Sequence, residues 1–131
     1  MIVTTDIETI LYKDAKKLGI KNIYKDNTIP EGNVKEERVT IIANATEPGT
    51  LWKVGFVHVN ISVPYLDKKG MANITRLNEL ERIANKMLNS TSVFDNTPYT
   101  YEVDTTRIED NRDLKCYYVN VRILFKVLNI K

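Results

Sequence analysis

Two long runs of alternating residues, 51–63 and 114–128, constrain this chain more than any other feature. In the first, Val57, Val59, Ile61 and Val63 share one side of an extended backbone while His58, Asn60 and Ser62 take the other. In the second, Tyr117, Val119, Val121, Ile123, Phe125 and Val127 oppose Asn120, Arg122 and Lys126. A slip of one residue would turn every apolar side chain of either run toward water, so the register of such strands is fixed once one face is covered. The other face meets water or another protein, and function is expected there.

The rest of the 131 residues supplies what covers that apolar face. Ile7, Ile10, Leu11, Ala15 and Leu18 recur at helical spacing; Thr5 and Glu8 read as a capping box at the start, and Gly19 as a left-handed close. Residues 21–24 read as a short strand and 25–37, with Pro30, Gly32 and two asparagines, as a loop excursion. Residues 38–45 then form a β-rich segment with Val39, Ile41 and Ala43 on one side, and the turn chemistry of 47–50 joins it to the first long strand as a hairpin. Pro64 takes the chain out of the sheet.

Asn73 or Thr75 caps a second helix carrying Ile74, Leu77, Leu80, Ala84, Met87 and Leu88 on one stripe, and residues 89–92 end it. Tyr99, Tyr101 and Val103 alternate with polar residues over 99–105, and a charged connection over 106–113 leads into the last strand. The expected architecture is α+β: a mostly antiparallel sheet of about four to five strands with two helices packed on one face, in a single domain over 1–131.

Composition narrows the function classes. With 43% hydrophobic and 27% charged residues the chain falls in the globular range, and no apolar stretch approaches the length of a membrane-spanning helix. The first residues lack the basic start and apolar run of a secretory signal, so production in a cytoplasm is expected. A net charge of +2, nineteen basic against seventeen acidic residues spread along the chain, lacks the clustered surplus of generic nucleic-acid binding, and no specific nucleic-acid partner is expected. The lone Cys116, inside a strand pattern, reads as a packed thiol.

No cofactor, metal or catalytic constellation is expected. His58 is the only histidine and has no cysteine or acidic pattern around it to complete a zinc site. The chain contains no glycine-rich phosphate loop, nucleophile elbow or HExxH motif. Glu102, Asp104, Glu109, Asp110 and Asp113 are dense enough to suggest magnesium binding or acid–base work, but Arg107 and Arg112 interrupt them, and alternating signs on a connection favour solvation or a polar partner. Trp52 and Phe56, opposite Val57, read as an exposed aromatic anchor, with a core tryptophan as the alternative. Contact with a partner is therefore assigned to Trp52, Phe56, His58, Asn60, Ser62, Tyr118, Asn120 and Arg122.

The succession of a helix over 7–18, Ile23-Tyr24, a Pro30-containing excursion, Arg38-Val39-Thr40-Ile41-Ile42, the strand Val57-His58-Val59-Asn60-Ile61-Ser62-Val63 and a helix over 74–88 resembles the tail-completion or tail-terminator proteins of long-tailed phages. The excursion at 25–37 is longer than that pattern has. The resemblance implies a non-enzymatic structural protein, assembled in the bacterial host cytoplasm and ending in the virion. It implies a homo-oligomeric ring of six copies that caps the tail tube and joins it to the head, with tail-tube and neck proteins as partners. A neck or head-completion adaptor is the nearest alternative. A nucleic-acid-binding module stacking bases on Tyr118, Tyr101 or Phe56, and an enzyme built on the carboxylates of 102–113, are the others.

Overall fold

The computed structural model describes residues 2–44 and 52–128, and within the second segment the side chains from residue 54 onward. Helix α1 (Thr4–Asp14) continues as a 3-10 turn over Ala15–Leu18 and stops at Gly19, whose φ of 76° is the left-handed conformation a residue without Cβ adopts at little cost. Strands β1 (Asn22–Lys25), β2 (Arg38–Ala43) and β3 (Trp52–Pro64) follow, then α2 (Ile74–Met87), β4 (Ser90–Phe94), β5 (Thr97–Asn111) and β6 (Cys116–Leu128). They form one six-stranded sheet in the order β1-β2-β3-β6-β5-β4, antiparallel except for the β1–β2 pair.

The two runs that stood out in the sequence are the paired centre of this sheet. Val57 faces Ile123, Val59 faces Val121 and Ile61 faces Val119, and all six are buried under the helices. Helix α1 packs over β1 and β2, and α2 over β6, β5 and β3. Their stripes supply Ile7, Ile10, Leu11, Ala15 and Leu18 from the first and Leu77, Leu80, Ala84 and Leu88 from the second, all buried. Ile74 and Met87, assigned to the second stripe, are exposed because they lie at the two ends of α2. Each fully buried aliphatic side chain contributes about 1.5–3 kcal/mol against the entropy of ordering the chain.

The sheet has six strands rather than four or five. The extra strand is β4, where residues 89–92 were read as the end of a helix. Asp95 and Asn96, with φ of 49° and 60°, make the two-residue turn with paired left-handed residues that joins closely spaced antiparallel strands. The parallel β1–β2 pair has a physical consequence, since parallel neighbours need a crossover of about a dozen residues, and the excursion at 26–37 is that crossover. The cap of α1 also differs from the Thr5/Glu8 box: the Val3 N–H donates to Asp6 at 2.9 Å, so the helix begins earlier. Glu8 is instead buried and accepts from the Ala43 N–H at 3.2 Å, satisfying a donor at the end of β2. Asn73 caps α2 by accepting from the Arg76 N–H at 3.3 Å. The turn read at 47–50 and the Trp52 side chain lie outside the described residues.

Residues 106–113 are not a connecting loop. Strand β5 runs to Asn111, and only 112–115 turn. A register shift between Val103 and Thr105 leaves Asp104 bulged out, so that Val103 and Thr106 both sit opposite core-facing residues of β6, Ile123 and Val121. Beyond Tyr101 the outer edge of β5 has no partner strand among the described residues, and there the bulge and the charges of Glu102, Asp104, Arg107 and Glu109 discourage strand addition. No helix among the described residues is long and apolar enough to cross a membrane.

Candidate interaction face

The face away from the helices is built by the even-numbered positions of β3 and β6 and by β5 beyond its bulge. Register sets Asn60 opposite Asn120, His58 opposite Arg122 and Ser62 opposite Tyr118; on the other side of β6, Arg107 pairs with Asn120, Thr105 with Arg122 and Glu109 with Tyr118. Side chains on neighbouring strands at direct or diagonal positions lie within reach of one another, and here they connect. Asn120 Nδ2 donates to Asn60 Oδ1 at 2.6 Å and lies 3.2 Å from His58 Nδ1.

Diagonally, the Arg122 guanidinium lies 3.8 Å above the centre of the Phe56 ring, and its Nε is 3.5 Å from Asp104 Oδ2. The bulge aims that carboxylate at the arginine. Together Asn44, Phe56, His58, Thr105, Arg107, Asn120 and Arg122 line a shallow depression of about 300 Å³. Phe56, His58, Asn120 and Arg122 are half-exposed and held by the contacts just described, which lowers the side-chain entropy lost when a partner settles on them, while Asn44, Thr105 and Arg107 are exposed at its rim.

Five of the eight expected contact residues, Phe56, His58, Asn60, Asn120 and Arg122, thus form one patch. Tyr118 lies beside it and donates to Glu109 at 2.6 Å. Ser62 does not belong: it is buried, as are Arg38, Thr40 and Cys116 at neighbouring positions of the same face. The crossover covers that end, with Val34 buried, its N–H bonded to the Leu114 carbonyl at 2.8 Å, and Arg38 Nη1 3.5 Å from the Pro30 carbonyl. The face opposite the helices is therefore open at one end only. Burial pushes the Cys116 thiol above its ordinary pKa despite the Ser62 hydrogen bond and the nearby Arg38 charge, which leaves it a poor nucleophile.

Asn44, Thr105, Arg107 and Asp104 complete the patch and were missed in the sequence. Alternation carried on from Tyr99, Tyr101 and Val103 would place Thr105 and Arg107 on the core side; the bulge at Asp104 reverses that phase and puts them on the open face. Tyr101, offered as a base-stacking platform, faces the core instead, stacked with Phe125 at 5.6 Å. The carboxylates of 102–113 do not converge: Asp104 approaches Arg122, Glu109 takes the Tyr118 hydroxyl, and Asp110 takes the Tyr65 hydroxyl and approaches Arg112. Among the described residues no group of three or more His, Cys, Asp or Glu side chains is placed to hold a metal ion.

Three of the seven tyrosines donate to carboxylates: Tyr65 to Asp110, Tyr101 to Asp14 and Tyr118 to Glu109. The hydrogen bond to Asp110 pushes Tyr65 up to about 12, and that to Glu109 does the same to Tyr118. Tyr101 is raised further, first by burial and then by Asp14. A folded-state pKa above the unfolded value of about 10 means that the unfolded chain loses protons first, so this stabilisation is complete below pH ~10 and is lost as pH climbs toward 12 and beyond. Ultraviolet titration is expected to show tyrosinate forming in separate waves, and urea midpoints to fall from pH 9 to 11, with a shallower fall in Tyr101→Phe. A single wave centred near pH 10 would contradict these pairings.

No family model matches the chain, and no curated protein is similar to it.

Proposed function

We propose that this protein is a structural component of a long-tailed phage or prophage, a tail terminator whose copies associate into a ring that caps the tail tube and joins it to the head. One observation carries the reading: both helices pack on one side of the sheet, leaving on the other a pre-ordered patch of Phe56, His58, Asn60, Asn120 and Arg122 with no element over it among the described residues. Aromatic and arginine side chains held in place are the kind that anchor protein interfaces. When such a patch meets a different surface of an identical copy, the contact repeats by rotation and closes into a ring if the angle allows. A neck adaptor would use the same patch in the same way.

On this reading the protein is made in the host cytoplasm, acts in the virion, and binds itself and the tail-tube and neck proteins. Light scattering from low to high micromolar concentration, with and without tail-tube protein, is the direct test. The expected result is a defined multiple of the chain mass, visible as rings by electron microscopy. A monomer under every condition would dispose of the proposal.

A further inference from the structure

At the end of the sheet away from the interaction patch, three loops meet around a cleft of about 630 Å³. They are the crossover, the exit from β3 through residues 64–71, and the β5–β6 turn. Backbone hydrogen bonds fix the first two to the third: the Val34 N–H to the Leu114 carbonyl at 2.8 Å and the Tyr65 N–H to the Lys115 carbonyl at 3.2 Å. The walls carry Lys35, Lys68, Lys69, Arg112 and Lys115. Among the described residues the one acidic residue lining it is Asp67, whose Oδ1 accepts from the N–H groups of Lys69 and Met71, each at 3.0 Å.

The four lysines have no ion-pair partner among the described residues. Arg38, buried beneath the crossover, adds a further positive charge, and its Nε has no hydrogen-bond partner among the described residues. Four lysines around one cleft against the single carboxylate of Asp67 leave an excess of positive charge there, a repulsion that an anionic ligand relieves. A chain with a net charge of only +2 thus concentrates its surplus where three distant segments meet.

We propose that this cleft is a phosphate-binding site that grips the backbone of a nucleic acid. Lysines act as point charges toward separate phosphates, whereas carboxylate recognition favours a free arginine fork, and here Arg112 is already directed at Asp110 at 3.4 Å. One small anion would leave most of the lysines uncompensated; a linear polyanion satisfies them along the open cleft. The inference goes beyond the ring reading and does not rest on it, since a monomer would carry the same cleft.

The test is fluorescence anisotropy with labelled single-stranded and duplex oligonucleotides of about 20 nucleotides, at salt concentrations between about 50 and 200 mM, with the oligomeric state measured in the same samples. With four phosphate contacts, one per lysine, log K is expected to fall against log salt with a slope of about −2.8 for single strands and about −3.6 for duplex. The triple variant Lys35→Ala/Lys68→Ala/Lys69→Ala is expected to bind at least about tenfold more weakly at low salt, with the slope reduced by about 2.1 for single strands and about 2.7 for duplex. All three side chains are exposed, so the fold should survive, which circular dichroism checks. Lys13→Ala/Lys16→Ala/Lys17→Ala removes the same charge from α1 and the 3-10 turn that continues it, and is expected to bind like wild type. Equal losses in both triples, no binding at low salt, competition by inorganic phosphate alone, or preference for polyglutamate over the oligonucleotides would each overturn the proposal.

Discussion

Phe125→Ala is expected to lower the stability of the fold by about 3–5 kcal/mol, the largest loss of any single core truncation in this chain. The side chain is fully buried in β6, with the Tyr99 ring 5.3 Å and the Tyr101 ring 5.6 Å from its own, both nearly parallel to it. Its partner position on β3 is Gly55, which has no side chain to move into the space that truncation leaves. The Tyr101 ring cannot follow either, because its hydroxyl is tied to Asp14 across the sheet–helix junction. The cavity therefore stays open and its cost adds to the lost transfer energy. Urea titration of Phe125→Ala against wild type measures it, and Phe125→Leu, which keeps most of the volume, should cost less than half as much. A loss below about 1 kcal/mol for the alanine variant would mean that the aromatic stack does not hold the β5–β6 half of the sheet together.

What the sequence made legible follows from where its patterns were local. The β3–β6 pair was readable because both strands keep an unbroken period of two, and covering one face leaves one register. The helix stripes were readable for the same reason at a period of 3.6. The α1 cap was misread because the competition was tertiary: Glu8 fits a capping box locally, but the Ala43 N–H, which lies far along the chain, takes its carboxylate. Strand β4 carried a usable signal in Asp95-Asn96 between Val93-Phe94 and Thr97, and the polar residues of 89–92 obscured it. The bulge at Asp104 hid the second half of β5, since one extra residue reverses the phase of everything after it.

The candidate sites divide along the same line. Five patch residues were legible because β3 and β6 are regular; Thr105 and Arg107 were not, because they follow the bulge. Ser62 was assigned to the patch on correct alternation and lies under the crossover, whose path depends on the parallel pairing of β1 with β2. The basic cleft had no sequence signal at all. Its cations come from three loops brought together only when β3, β5 and β6 pair, and a charge count along the chain averages them away.

If the proposed ring forms through the open face, Phe56→Asp is expected to abolish it while leaving the monomer folded. The aromatic ring sits on the open face, outside the core, and serves as the platform beneath Arg122. An aspartate there remains beside the guanidinium, so the intramolecular cost is small, whereas the apolar anchor of the interface is lost and a carboxylate must be desolvated in its place. Truncating a central aromatic typically costs 2 kcal/mol or more per contact. On the ring reading every contact between copies carries the same lesion, so a loss of about 2 kcal/mol is repeated at each of them and the ring no longer forms at micromolar concentration. Light scattering should then return the monomer mass, and urea unfolding at concentrations low enough for wild type to be monomeric should give the same stability within about 1 kcal/mol. Tyr24→Phe, far from the patch on edge strand β1, is the matched control and should assemble as wild type does. A Phe56→Asp protein that still formed rings would place the contact on another surface and remove the open face from the account of how this protein works.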